Sequence, residues 1–284
     1  MQLARIQTSQ GPAVARIANN FATVLDLSST GLSTLSQLLS CDRLVEFARE
    51  LPAAATSIPL DAVQWLPPID DQEVWAAGVT YKRSQTARME ESEAAASCYD
   101  RVYTAARPEL FFKATPSRCS GHMGKLRIRS DATWNVPEPE LTLVLSNQGK
   151  IVGYTVGNDM SSRDIEGDNP LYLPQAKVYN QCCGLGPWIT LADSMPPRQS
   201  IGIHLNIVRK QETVFSGETS VNQMARQLED LVQWLTRDND LPNGAMMLTG
   251  TGVVPDSTFT LAKDDVVHIS IDGIGTLTNT IVQG

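Results

Sequence analysis

The chain of 284 residues carries 23 Lys plus Arg against 31 Asp plus Glu, a net charge of −8, and 42% of its residues are apolar. That acidic balance argues against nucleic acid or anionic membrane as the main partner, and no run approaches the ~18 apolar residues a spanning helix needs. Met1-Gln2-Leu3-Ala4-Arg5-Ile6-Gln7 lacks a basic segment followed by an apolar run, so a cytoplasmic protein is expected.

Residues 1–66 alternate short apolar runs with Ser, Thr and Ala, and 41–51 read as a helix with Leu44, Val45, Phe47 and Ala48 on one side. Leu66-Pro67-Pro68-Ile69-Asp70-Asp71 can continue neither a helix nor a central strand. It divides a small N-terminal α/β domain, 1–69, from a larger domain, 70–284. Residues 73–79 read as a strand, and the polar, Ala-rich stretch 81–107 as a helical insertion able to serve as a lid. Beyond Glu109 come strand-like runs at 141–145, 151–156, 188–191, 201–208, 259–261, 266–271 and 276–282, punctuated by Gly, Pro, Asn and Asp. Among them lies one amphipathic helix, 224–235, with Met224, Leu228, Leu231, Val232 and Leu235 on its apolar face. The pattern is that of an α+β, mainly β protein built as a sandwich or rolled sheet. Five cysteines (Cys41, Cys98, Cys119, Cys182, Cys183) without C-x-x-C spacing read as reduced, packed thiols rather than a disulfide framework or a zinc knuckle.

The chemistry is concentrated in acids. Glu138 and Glu140 flank Pro139, so on a strand they share one face, and two anions that close call for a cation between them. Asp159 closes the run 151–156 and can turn a third carboxylate toward the same ion. An all-oxygen set suits Mg²⁺, or alternatively Mn²⁺ or Ca²⁺, better than Zn²⁺. Lys177, between Ala176 and Val178, is a candidate proton carrier if desolvated, against the alternative of an ammonium reaching out from a strand edge. Glu109 leads into an apolar strand, where burial would favour the protonated form a general acid needs; otherwise it pairs with Lys113 or Arg107. Leu248-Thr249-Gly250-Thr251-Gly252 offers hydroxyls and turned backbone amides suited to an anionic or carbonyl oxygen, or is an ordinary corner. His204 and His268 read as core or surface residues.

Glu138-Pro139-Glu140, Gly153-Tyr154-Thr155-Val156-Gly157-Asn158-Asp159-Met160-Ser161-Ser162-Arg163-Asp164, Lys177, Thr249-Gly250-Thr251 and Gly273-Ile274-Gly275-Thr276-Leu277 together resemble the fumarylacetoacetate hydrolase superfamily over about residues 70–284. The resemblance implies a rolled mixed β-sandwich, Mg²⁺ or Mn²⁺ on Glu138, Glu140 and Asp159, and assembly as a homodimer or homotetramer. Within that superfamily, 107–119 and 166–177 look most like the 2-keto-3-deoxy-D-arabinonate dehydratases. This implies Glu109 and Lys177 as the catalytic pair and a 2-keto-3-deoxy sugar acid, dehydrated to 2,5-dioxopentanoate, as substrate. Arg118, Arg163 and Thr251 are expected on substrate oxygens. Hydrolases of the superfamily usually carry a His after an Asn-Tyr pair, whereas Thr80-Tyr81 is followed here by Lys82, Arg83 and Ser84. His122, substituting from the lid side, would serve an acylpyruvate-type C–C hydrolase, the first alternative. A 2-oxo-acid-binding protein without turnover is the second.

Overall fold

The computed structural model describes residues 1–54, 57–82 and 101–284. The chain opens with the meander β1 (Gln2–Thr8), β2 (Gly11–Ala18) and β3 (Phe21–Val24). Helices Leu35–Leu39 and Leu44–Glu50 follow, then β4 (Ile58–Pro59) and β5 (Gln64–Leu66). Next come β6 (Glu73–Gly78), β7 (Glu109–Ala114), β8 (Cys119–Ser120), β9 (Lys125–Ile128) and β10 (Asn135–Val136). After β11 (Pro139–Leu145), β12 (Ile151–Asp159) and β13 (Ser161–Ser162), two short helices, Arg163–Asp168 and Leu173–Lys177, lead into β14 (Cys183–Leu191). The hairpin β15 (Gly202–Arg209) and β16 (Glu212–Ser220), helix Leu228–Leu235, β17 (Ala245–Leu248), β18 (Val266–Ile271) and β19 (Gly275–Gln283) complete the chain.

The protein is mainly β, with mixed sheets and few helices. A twelve-stranded sheet runs β4-β3-β2-β1-β14-β12-β11-β17-β6-β7, with β5 on β1 and β8 on β14, and a five-stranded sheet runs β16-β15-β18-β19-β9. Alternation explains how they pack. On β11, Leu141, Leu143 and Leu145 join one core with Ile203, Leu205, Ile207, Val267 and Ile269 of the second sheet and with Leu231 and Leu235 of the long helix. The opposite face of β11 carries Val144, which joins Leu35, Leu38 and Leu39 of the first helix and Leu185, Ile189 and Leu191 of β14. All seven residues of β11 are buried, because both faces of this central strand are covered. The N-terminal strands are continuous with the larger sheet, since Gln2 and Leu3 of β1 pair with Thr190 and Ile189 of β14.

Two expectations shift. The helix expected over 224–235 begins at Leu228, because Arg198 donates to the carbonyls of Val221, Met224 and Arg226 and to the Gln227 side chain, holding the approach to the helix as a turn. Residues 259–261 are not a strand: Asp256 caps the amide of Thr258, and Leu261 donates its single amide bond to Asn135. The expected lid, 81–107, falls mostly outside the described residues. Of its described end, Val102 and Tyr103 pack on Val79, and Arg107 lies 4.3 Å over the ring of Trp234.

Candidate active site

Glu138, Glu140 and Asp159 each offer a carboxylate oxygen, and these oxygens lie within 4.8 Å of one another, in a buried group. The strand ladder creates the cluster. Glu140 stands opposite Gly157 on β12, and the amide of Asp159 donates to the carbonyl of Glu138 at 3.0 Å. Asn158 adds a clamp, its Oδ1 accepting the Glu138 amide at 3.2 Å. Gly157 is required for space, since a Cβ there would lie 2.2 Å from both Leu248 Cδ2 and Thr142 Oγ1. At the far side the amide of Gly250 donates to Glu140 Oε2 at 2.6 Å. Gly250 holds that direction at φ +90°, where a Cβ would strike Thr80 Oγ1 at 2.1 Å. The turned amide foreseen for an anionic oxygen thus serves the protein's own carboxylate.

Three cations surround the group. Lys177 Nζ bridges Glu138 Oε2 at 2.7 Å and Asp159 Oδ2 at 3.2 Å, Lys113 Nζ lies 2.6 Å from Asp159 Oδ1, and Arg163 lies 2.7 Å from Glu138 Oε1. All three are buried, Lys113 and Lys177 to 0% exposure. Burial pushes the Asp159 carboxyl up, but the two ammonium groups outweigh it and hold it below the usual carboxylate range. Burial likewise opposes charge on Lys113, and the charge of Asp159 reverses this, raising it above the usual lysine value. Glu140 is different. Burial, and then the charges of Asp159 and Glu138, push its carboxyl well above the usual range. The built-in cations serve Glu138 and Asp159, whereas Glu140 has no comparable counter-charge among the described residues. An all-carboxylate, buried set with one uncompensated member fits a hard divalent cation.

Lys177 occupies the last turn of helix Leu173–Lys177 rather than a strand edge. Asn169-Pro170, where the Asn169 side chain accepts the amide of Leu171, starts this helical segment, a cap-and-proline signal readable in the sequence. Phe111 lies beneath the ammonium, 5.8 Å from ring centre to Nζ. Glu109 is two residues earlier on β7, on the same strand face as Phe111, and stands opposite Gly78 of β6. Its carboxylate lies against the bare Cα of Gly78, where a Cβ would be 2.0 Å from Glu109 Oε2. Gly78→Ala is therefore expected to displace this carboxylate while leaving the trio in place. For the proton-donor role expected of Glu109, turnover should fall about 10²-fold, the cost of misplacing such a group by about 1 Å, with divalent-ion affinity unchanged; paired kinetic and metal titrations of the variant check this.

The remaining expected residues have other attachments. Arg163, expected on substrate oxygens, is buried against Glu138 and so orients a carboxylate of the trio. Thr251 is also buried, its hydroxyl exchanging hydrogen bonds with the amide and carbonyl of Val253 within its own turn. Arg118 is half-buried after β7 and donates to Thr115 Oγ1 at 2.9 Å. His122 accepts the amide of Thr278 through Nδ1 and lies edge-on to Trp65. Sequence reasoning missed Lys113, which pairs with Asp159 rather than Glu109. Trp75 pairs with Phe112 and Val74 with Ala114, leaving Lys113 as the extra residue of a β-bulge. Such a bulge re-aims a side chain, and Lys113 Nζ also donates to the carbonyls of Met160 and Lys177 at 2.9 and 2.5 Å. Tyr81 was missed as well. Its hydroxyl is buried with no hydrogen-bond partner among the described residues, and burial, then the charge of Glu140, raise it.

The fold and sequence are similar to those of known proteins. A 2-dehydro-3-deoxy-D-arabinonate dehydratase of Saccharolobus solfataricus is 44% identical over 224 residues, covering 78% of this chain and 75% of that one. A protein of Haloferax volcanii named "Probable 2-keto-3-deoxyxylonate dehydratase" is 49% identical over 214 residues, covering 75% and 73%. A solved structure of 2-keto-3-deoxy-D-arabinonate dehydratase complexed with magnesium and 2,5-dioxopentanoate superposes with a TM-score of 0.85 at 35% identity, covering 100% of this chain and 99% of that one. Residues 73–282 match the family described as Fumarylacetoacetate (FAA) hydrolase C-terminal, and with the carboxylate trio in that segment the chain belongs to the fumarylacetoacetate hydrolase family.

Proposed function

We propose that this protein is a Mg²⁺-dependent hydro-lyase that converts 2-keto-3-deoxy-D-arabinonate to 2,5-dioxopentanoate and water. The observation that carries this reading is the buried trio Glu138, Glu140 and Asp159 with Lys177 Nζ held among it. The related dehydratase that contains magnesium and this product supports it. Glu138, Glu140 and Asp159 would hold the cation. When bound, it supplies a Lewis acid that draws electrons from the carbonyl of an α-keto acid and so acidifies C3. Lys177 takes the C3 proton, and Glu109 gives one to the departing C4 hydroxyl, which leaves as water. The resulting C3–C4 double bond shifts by moving a proton from C5 to C3, and the enol at C5 tautomerises to the aldehyde. Lys177 Nζ stands 2.7 Å from Glu138 and 3.2 Å from Asp159, beside the carboxylates that would hold the cation and so beside the substrate carbon it deprotonates. Arg163 keeps Glu138 in place, and Arg118 and Thr251 remain the proposed neighbours of substrate oxygens. The chemistry is assigned to residues 70–284, and a cytoplasmic homodimer or homotetramer completes the proposal.

The test is to incubate the protein, with Mg²⁺ and after chelation, with keto-deoxy pentonates and with an acylpyruvate. Metal-dependent 2,5-dioxopentanoate from the pentonate is the expected product, followed by NMR. Pyruvate from the acylpyruvate without dioxopentanoate would establish a C–C hydrolase instead, and no turnover of either would leave a binding protein.

A further inference from the structure

We infer that Cys119 and Cys183 are a dithiol that peroxide-class oxidants join into a disulfide, and that this bond weakens cation binding at the neighbouring carboxylates. The two residues are register partners across the parallel pair of β8 and β14. Partners on adjacent strands are about 4.8 Å apart, inside the range of Cα separations that a disulfide spans, and partners in a ladder point to the same face. The Cys119 side chain lies within hydrogen-bonding reach of the Cys183 side chain. Access is asymmetric. Cys119 is half-buried and Cys183 is buried, so an oxidant reaches the first and the second resolves it.

The step balances. The Cys119 thiol takes one oxygen from hydrogen peroxide as the O–O bond breaks, giving a sulfenic acid and water. The Cys183 sulfur then attacks the Cys119 sulfur, and the sulfenic hydroxyl leaves with the Cys183 proton as a second water. Two sulfurs lose two electrons in all, and peroxide gains them.

Cys183 links the pair to the site because its other register partner is Asp159 on β12, and the amide of Met160, the next residue, donates to the carbonyl of Cys182 at 3.2 Å. Drawing two sulfurs from contact to bonding distance pulls β14 toward β8 and away from the ladder that fixes Asp159. This second part rests on the trio binding a cation; the bond itself does not.

The experiment treats the native protein with hydrogen peroxide, maps disulfides by mass spectrometry after alkylation, and titrates Mg²⁺ by calorimetry before and after. The expected result is a single Cys119–Cys183 link, a several-fold weaker Mg²⁺ midpoint, reversal by dithiothreitol, and neither effect in Cys119→Ser. No link, pairing through Cys41, Cys98 or Cys182, or an unchanged midpoint in fully linked protein would overturn the inference. Absent Mg²⁺ binding by the reduced protein would sink the proposed metal site, with the peptide map still deciding the disulfide.

Discussion

Lys177→Met is expected to lower turnover of the keto-deoxy acid by about 10²–10⁴-fold, the usual contribution of a positioned acid–base group, without lowering affinity for Mg²⁺. The separation follows from geometry. Nζ sits 2.7 Å from Glu138 and 3.2 Å from Asp159, so its positive charge competes with a metal for the same carboxylates. Removing that charge leaves the trio more negative, which favours a divalent ion, while the group that moves the C3 proton is gone. Lys177→Arg adds a control, because guanidinium keeps the charge and does not give up a proton near neutral pH; it too should be inactive. Measuring kcat and the Mg²⁺ dissociation constant on the same preparations distinguishes roles. If Lys177→Met lost metal affinity in proportion to activity, the lysine would be only a brace for the carboxylates.

Lys113→Met is expected to destabilise the fold by about 3–5 kcal/mol, the range for removing one partner of a buried ion pair. Lys113 is fully buried and neutralises Asp159 at 2.6 Å, and it satisfies the carbonyls of Met160 and Lys177. Its loss leaves Asp159 with Lys177 as its cation among the described residues and removes the donor to two backbone acceptors, each costly when buried. Urea denaturation measures the effect, and Mg²⁺ should restore part of the lost stability by binding only the folded state. A variant as stable as the wild type would mean that Asp159 does not depend on Lys113.

The carboxylates were legible because their arrangement is local: Glu138 and Glu140 share a face by strand alternation, and Asp159 closes the adjoining strand. Lys177 was legible as a desolvated lysine but not as a helical one, although Asn169-Pro170 carried the start signal. Lys113 could not be read, because its direction is set by a bulge between β6 and β7 that exists only once Trp75 finds Phe112 and Val74 finds Ala114. Arg163 and Thr251 illustrate a related limit. Composition marks them as polar groups near a site, yet whether they face substrate or the protein depends on partners distant in sequence or on a turn folding on itself. The sandwich was foreseen from its strand runs, while the start of helix Leu228–Leu235 was set by Arg198, about thirty residues upstream. The N-terminal strands read as a separate texture, and the edge they share with β14 emerged only from pairing.

The most direct test of the account is a crystal soaked in Mn²⁺ and examined by anomalous scattering, with the ion also titrated by electron paramagnetic resonance in wild type and Glu140→Gln. One strong peak bound jointly by Glu138, Glu140 and Asp159 is expected, with markedly weaker Mn²⁺ binding once Glu140 loses its charge. Carboxylates turned away from one another with no peak between them, or a Glu140→Gln protein that binds Mn²⁺ as the wild type does, would contradict it.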